Sequence, residues 1–210
     1  MATPRSQRIG ILVIAIVLMT GTLGSFLVMG LSINNQKVDQ NQLQDSYNDY
    51  QTKVTAQAKE LSSKYYAEFS QYASVPVAFN ADDITGLTTN DIKVGDGVEI
   101  TSTTEYNAYY IGWNPKGIIF DQSISDGELK SPIAGGNSIT GWNEGVIGMK
   151  VGGIRELAIP SDKAYGATGS GDNIPPNTPI KFIIMIIPKV TGVSVPQILL
   201  DYYKSQSAGQ

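Results

Sequence analysis

The stretch Gly141-Trp142-Asn143-Glu144-Gly145-Val146-Ile147-Gly148-Met149-Lys150-Val151-Gly152-Gly153 decides the fold. A large aromatic follows a glycine turn, a short amphipathic turn carries Val146 and Met149, and Gly152-Gly153 ends it. The residues that follow alternate as a strand does, with Ile154, Glu156 and Ala158 on one side and Arg155, Leu157 and Ile159 on the other. A glycine-rich loop then carries Tyr165 and ends at Ile174, before a second strand at 180–187. The arrangement predicts one wall of an apolar cup with a flexible flap over it.

Upstream, Asp91 to Ile100 places a Gly95-Asp96-Gly97 turn between two apolar runs. Tyr106 to Trp113 reads as a strand, followed by the Asn114-Pro115-Lys116-Gly117 turn and then Ile118-Ile119-Phe120-Asp121. Five or six strands and one short helix make an α+β domain of roughly 100 residues, mostly antiparallel sheet. After Val190, Pro196 to Tyr203 predicts a short docking helix, with Ser205 to Gln210 frayed.

The amino-terminal part has a different character. Ile9 to Leu31 is an uncharged stretch of 23 residues rich in Ile, Leu, Val and Met. As a helix it spans roughly 34 Å, enough for a bilayer core of about 30 Å. Arg5 and Arg8 flank it on one side, and no basic residue follows until Lys37. The positive-inside bias therefore puts the tail, residues 1–8, in the cytoplasm and the rest of a single-pass chain outside the cell membrane. The rival reading is a cleaved signal peptide with a small-residue site near Thr22-Leu23-Gly24. Across residues 32–75 no Gly or Pro occurs, and Val38, Leu43, Tyr47, Tyr50, Val54, Ala58, Leu61, Tyr65, Phe69 and Tyr72 recur at helical spacing. That predicts an amphipathic helical stalk from about Asp39 to Gln71. Its stripe is expected to pack on a second copy as a homodimer, on the globular domain, or on another protein. The expected domains are thus a tail (1–8), an anchor (9–31), a stalk (32–75), a globular domain (76–190) and a carboxy-terminal helix with its tail (191–210).

The 210 residues include no cysteine and no histidine. That removes disulfides, thiol nucleophiles, Ser-His and Cys-His pairs, and His/Cys zinc sites. The net charge is −4, and the globular part is acidic, which argues against nucleic acid as a partner. Gly166, Gly169 and Gly171 do not complete a dinucleotide fingerprint, and no phosphate-cradling loop ends in Gly-Lys-Ser/Thr. No spacing demands a catalytic carboxylate pair. What remains is aromatic and aliphatic surface with few titrating groups, suited to a reaction that moves no proton, with no metal or cofactor. Read singly, Trp142, Phe120 and Phe182 are ordinary core residues, and Tyr165 is a turn tyrosine.

Taken in order, the blocks are more specific. Tyr109-Tyr110-Ile111-Gly112-Trp113, Gly117-Ile118-Ile119-Phe120-Asp121 and Ile139-Thr140-Gly141-Trp142-Asn143-Glu144-Gly145-Val146 come first. Met149 to Gly153, Ile159-Pro160, Ala164-Tyr165-Gly166-Ala167, Ile174-Pro175-Pro176-Asn177 and Phe182 follow. Over about residues 90–190 this order resembles the macrolide-binding immunophilins, the FKBP-type peptidyl-prolyl cis/trans isomerases. The resemblance implies a twisted antiparallel sheet wrapped around one short helix. It implies that Trp142 floors the site for a proline ring, with Tyr110, Phe120, Ile139, Ile174 and Phe182 as walls. Tyr165 then offers its hydroxyl and Ile139 its amide to the substrate, and Asp121 lies beside the twisting carbonyl. Leu129, Ser138 and the segment after Asp121 depart from the family's commonest pattern. Leu129 stands where an aromatic is frequent and Ser138 where an aliphatic is frequent, both at substrate-binding positions. The implied partners are proline-containing polypeptides, and the implied role is folding of exported proteins. A non-catalytic prolyl-peptide-binding scaffold on the same fold is the alternative.

Overall fold

The computed structural model describes residues 40–136 and 138–207. The expected tail and anchor, and residues 32–39 of the expected stalk, lie outside them. The chain divides into two compact units, Met1–Gln44 and Asp45–Gln210, and all that is described below from Asp45 onward lies in the second.

Helix α1 (Gln40–Phe69) runs into a 3-10 turn at Ser70–Ser74, close to the bounds that the uninterrupted stripe predicted. Eight strands follow: β1 (Thr88–Lys93), β2 (Tyr106–Trp113), β3 (Ile119–Gln122), β4 (Ile124–Ser125), β5 (Glu128–Leu129), β6 (Ile133–Ala134), β7 (Ile154–Ile159) and β8 (Ile180–Pro188). Helix α2 (Thr140–Gly145) precedes β7, and helix α3 (Gln197–Ser207) ends the described chain. The sheet order is β1-β7-β8-β2-β3, with β6 also paired to β2 and every pairing antiparallel. Strands β4 and β5 form a separate hairpin. Its turn residues, Asp126 and Gly127, both have positive φ (51° and 76°), as a tight two-residue turn requires.

Side chains alternate across this sheet and build two cores. On one face Tyr106 and Ala108 of β2, Leu157 and Ile159 of β7, and Phe182, Ile184 and Ile186 of β8 pack on Trp142, Val146 and Met149. On the other face Tyr109, Ile111, Trp113, Ile154, Ile183, Met185 and Ile187 pack on Phe69, with Tyr65, Tyr66 and Tyr72 against them. The expected sheet-and-short-helix arrangement is present, and the sheet's second face is covered as well, by the carboxy-terminal half of α1. Burial on both faces explains why Ile180–Pro188 reads Ile-Lys-Phe-Ile-Ile-Met-Ile-Ile-Pro, almost without polar interruption. Ring contacts of 6.0–6.2 Å join Tyr65 and Phe69 to Tyr109. The Tyr109 hydroxyl is buried and has no hydrogen-bond partner among the described residues, and burial pushes its pKa up to about 12.

Two sequence expectations differ from what is observed. The Gly95-Asp96-Gly97 turn does not join two paired strands. The second apolar run lies along the connection between α2 and β7, where the Ile100 amide donates to the Met149 carbonyl (2.7 Å) and the Val151 amide to Val98 (3.0 Å). Lone backbone pairing satisfies that run, so Val94 and Val98 stay exposed. Helix α3 also continues to Ser207, past the point where fraying was expected. Leu199 is buried, and the Tyr203 phenol is raised by burial and by neighbouring Tyr47 and Tyr202.

Phe69 is fully buried where α1 meets the sheet. Phe69→Ala is expected to lower the unfolding free energy by about 3–5 kcal/mol, measured by urea denaturation. A loss under about 1 kcal/mol would mean that the helix is not part of the folding unit.

Candidate active site

Strand β2 aims Tyr110 towards α2, and its neighbour Gly112 leaves room for two rings. A Cβ on Gly112 would lie 2.5 Å from the Phe182 ring and 2.7 Å from the Phe120 ring. The side chains that glycine admits form a set of edge-on contacts. Trp142 meets Phe182 at 5.2 Å and 79°, Phe120 meets Phe182 at 5.5 Å and 85°, and Tyr110 meets Trp142 at 5.6 Å and 83°. Such edge-to-face pairs add to area burial and hold each ring's orientation.

The floor is fixed from below. The Ile139 carbonyl accepts the Trp142 and Asn143 amides (both 3.1 Å) and so starts α2. The Trp142 indole N–H donates to the Tyr106 hydroxyl at 3.3 Å. At the helix's other end the buried Arg155 guanidinium donates to the carbonyls of Gly145 (2.8 Å) and Ile147 (3.1 Å). Its Nε and Nη2 form a two-pronged pair with Asp91 at 2.6 and 3.0 Å. A cation over the orphan carbonyls of a helix end is favourable, so one side chain from β7 anchors both α2 and β1.

Above the indole is a cavity of about 410 Å³. Trp142 is only 2% exposed, and it is both core and cavity floor. Tyr110, Phe120, Asp121, Ser138, Ile139, Tyr165, Ile174 and Phe182 line the same space. Leu129 does not. It is buried on β5 in the core that faces α1, and its amide donates to Ser62 Oγ at 2.8 Å. The short β4–β5 hairpin turns it under the helix and away from the cavity, so its assignment to substrate binding is corrected. Ile133 and the segment Ser170-Gly171-Asp172-Asn173 also line the cavity. The sequence shows 170–173 as a polar loop, but only its folding, with the Ser170 amide donating to the Ile174 carbonyl (2.8 Å), turns it inward. Ile133 sits on a two-residue strand, too short for any periodicity to reveal its direction.

Polar groups interrupt the apolar lining at Ser138, along Ser170–Asn173 and at Asp121. The Tyr110 hydroxyl donates to the Asp121 carboxylate, whose other oxygen accepts the Gln122 amide at 2.8 Å. Burial first, then the hydrogen bond and charge of Asp121, hold the Tyr110 phenol well above its ordinary pKa of 10. Tyr165 is raised by burial and by the same carboxylate. Both phenols therefore keep their O–H donors at neutral pH. Among the described residues no group of His, Cys, Asp or Glu side chains could hold a metal ion. The cavity can desolvate a small apolar ring, offer phenolic hydrogen bonds, and place a carboxylate beside the bound group.

Residues 93–187 match the family model of the FKBP-type peptidyl-prolyl cis-trans isomerases. The FK506-binding protein of Neisseria meningitidis serogroup B is 39% identical over 103 residues, which cover 49% of this chain and 94% of that protein. A probable FK506-binding protein of Corynebacterium glutamicum is 42% identical over 103 residues, covering 48% and 85%. A probable FKBP-type peptidyl-prolyl cis-trans isomerase of Haemophilus influenzae is 32% identical over 136 residues, covering 64% and 53%. The chain belongs to the FKBP-type peptidyl-prolyl cis-trans isomerase family, and it is an enzyme of that kind.

Because the phenols ionise above 10 and the chain has no histidine, kcat/KM is expected to stay flat between about pH 6 and 9. The donors are present below the phenol pKa values and would be lost only as pH rises through them. A bell-shaped profile within that range would place a titrating catalyst in the site.

Proposed function

We propose that this isomerase is held in the cell membrane by residues 9–31, with its catalytic domain outside, where it speeds X-Pro rotation in polypeptides folding after export. X-Pro bonds isomerise in tens to hundreds of seconds unaided, slow enough to limit folding. The observation that carries the catalytic part is the cavity over Trp142, lined by four aromatic rings besides the indole. Amide resonance puts a barrier of about 18–20 kcal/mol on the rotation and also separates charge. A water-poor cavity stabilises that charge-separated planar form less than bulk water does, so the less polar twisted form is relatively favoured.

In this reading the proline ring sits on the Trp142 indole between Tyr110, Phe120, Ile139, Ile174 and Phe182. Tyr165 donates its hydroxyl and Ile139 its amide to substrate carbonyls. Asp121, kept in place by Tyr110, lies beside the carbonyl that swings. Ser138, exposed and lining the cavity, offers a small polar side chain that widens the choice of neighbouring residue. The anchoring part is supported by the 23 uncharged residues and by Arg5 and Arg8 on one side of them. Among the described residues no helix is long and apolar enough to cross a membrane, and the proposed anchor lies outside them. Pairing of two copies through the helix has less surface to use than the stripe suggested, since Tyr65 and Phe69 already pack on the chain's own sheet.

Two measurements follow. In a prolyl-peptide isomerisation assay, Trp142→Ala and Phe120→Ala are each expected to lower kcat/KM by more than about tenfold, a loss of roughly 1.4 kcal/mol of transition-state preference. Wild-type kcat/KM in both variants would remove this cavity from the mechanism, and peptide binding without turnover in the parent chain would make it a scaffold. Separately, the full chain is expected to stay with membranes after an alkaline carbonate wash and to be cut by protease added from outside. Release into the wash would contradict the anchor.

A further inference from the structure

The flap tip folds largely on itself. Its amides at Gly166, Gly169, Ser170 and Asn177 donate to the carbonyls of Ser161, Tyr165, Ile174 and Gly166. Apart from the bonds to Ser161 and Tyr165 where the flap begins, one hydrogen bond among the described residues joins residues 166–177 to the rest of the domain. The Asn114 Nδ2 amide donates to the Asn173 carbonyl at 2.8 Å, across 59 positions of sequence.

Asn114 is built to make that bond. It is 4% exposed and begins the turn after β2. Its backbone pairs with Ile118 (3.0 Å) and accepts the Gly117 amide (2.9 Å). Gly117 has φ +76°, and a Cβ there would lie 2.9 Å from the Ala78 nitrogen, so the turn is tight against its neighbour. The Asn114 side-chain oxygen accepts the amides of Lys116 (3.0 Å) and Ile118 (3.1 Å). Two backbone donors at one end of the side chain identify that end as the oxygen, which leaves the NH2 group facing the flap. The turn is itself held by the segment after α1. The Phe79 amide donates to the Pro115 carbonyl (3.0 Å), and the Trp113 indole to the Val77 carbonyl (3.2 Å).

We propose that Asn114 is a positioning residue for the isomerisation, holding the wall formed by Asn173 and Ile174 over the cavity. It touches no substrate. It acts through the Asn173 carbonyl, and both residues it steadies line the space above Trp142. Without the bond the flap tip loses its fixed distance from the floor, its own hydrogen bonds open more often, and the cavity admits water.

The proposal rests on the isomerase reading of this cavity, so its test has one readout with turnover and one without. Full-length wild type, Asn114→Asp and Asn114→Ala are compared for kcat and KM between about pH 4.5 and 8, for amide hydrogen exchange at Ser170 and Asn177, and for the urea midpoint. Asn114→Asp keeps an oxygen for Lys116 and Ile118, so the turn and the midpoint are retained, but it sets a carboxylate against the Asn173 carbonyl. At about pH 8 its kcat/KM is expected to fall about tenfold, chiefly through KM, with faster exchange at the flap tip. Acid protonates the introduced carboxyl and restores an O–H donor, so kcat/KM should recover towards wild type, whereas Asn114→Ala should show no recovery. The same measurements on wild type control for Lys116 of the turn, Asp172 of the flap tip and Asp121 of the cavity. Activity of Asn114→Asp within about twofold of wild type, a loss that acid does not reverse, or unchanged exchange at the flap tip would each overturn the proposal. If wild type itself lacked turnover, the isomerase reading would fall, and hydrogen exchange would still decide whether the tie exists.

Discussion

Edge-on packing of the Trp142 indole against Phe182 and Tyr110 is the constraint on which the rest depends. An indole that is 2% exposed is a core residue by any measure of burial. It also floors the cavity of about 410 Å³, among rings that meet it nearly at right angles. That geometry needs a strand residue without a side chain against Phe182 and Phe120, and Gly112 is that residue. It also needs a helix that cannot shift. Trp142 lies in a helix of six residues, too short to be stable alone, and Arg155 and the Ile139 carbonyl hold its two ends. The site's precision therefore comes from supports that never meet the substrate.

The two faces of the sheet divide the work. Alternation along β2 and β8 gives one face to the cavity and its helix and the other to α1. A domain with only the first core would leave Tyr109, Ile111, Trp113, Ile183 and Met185 open to water, an apolar patch a soluble surface rarely carries. Helix α1 closes that patch with Phe69 and neighbouring tyrosines, so the segment that leads towards the amino terminus is also part of the domain's packing.

Much of this was legible in the sequence. The indole, the Tyr110 and Phe120 blocks, Tyr165 on its glycine-rich loop and Ile174 before the prolines stood in an order that implied one site, and the structure gathers them around one space. Helix α1 was legible because 44 residues without Gly or Pro carry one unbroken stripe. What failed was local and has a physical cause. Leu129 was placed in the site by its position between blocks, but a two-residue strand has no period to show which face it serves. The partner of the α1 stripe was left open, although the unbroken apolar run of β8 already implied that something covers its second face. Asn114 passed as an ordinary turn residue, because a bond spanning 59 positions has no signature in a single chain.

The central claim is chemical: a prolyl bond turns in this cavity without a proton changing hands. In the proposed mechanism Tyr110, Tyr165 and Asp121 only hydrogen-bond and orient, and none of them needs to gain or lose a proton during the rotation. The solvent isotope effect on kcat/KM tests that most directly. A ratio near one between ordinary and heavy water is expected at neutral pH. A ratio above about two would show that proton transfer limits the step, and the desolvation mechanism would have to be abandoned.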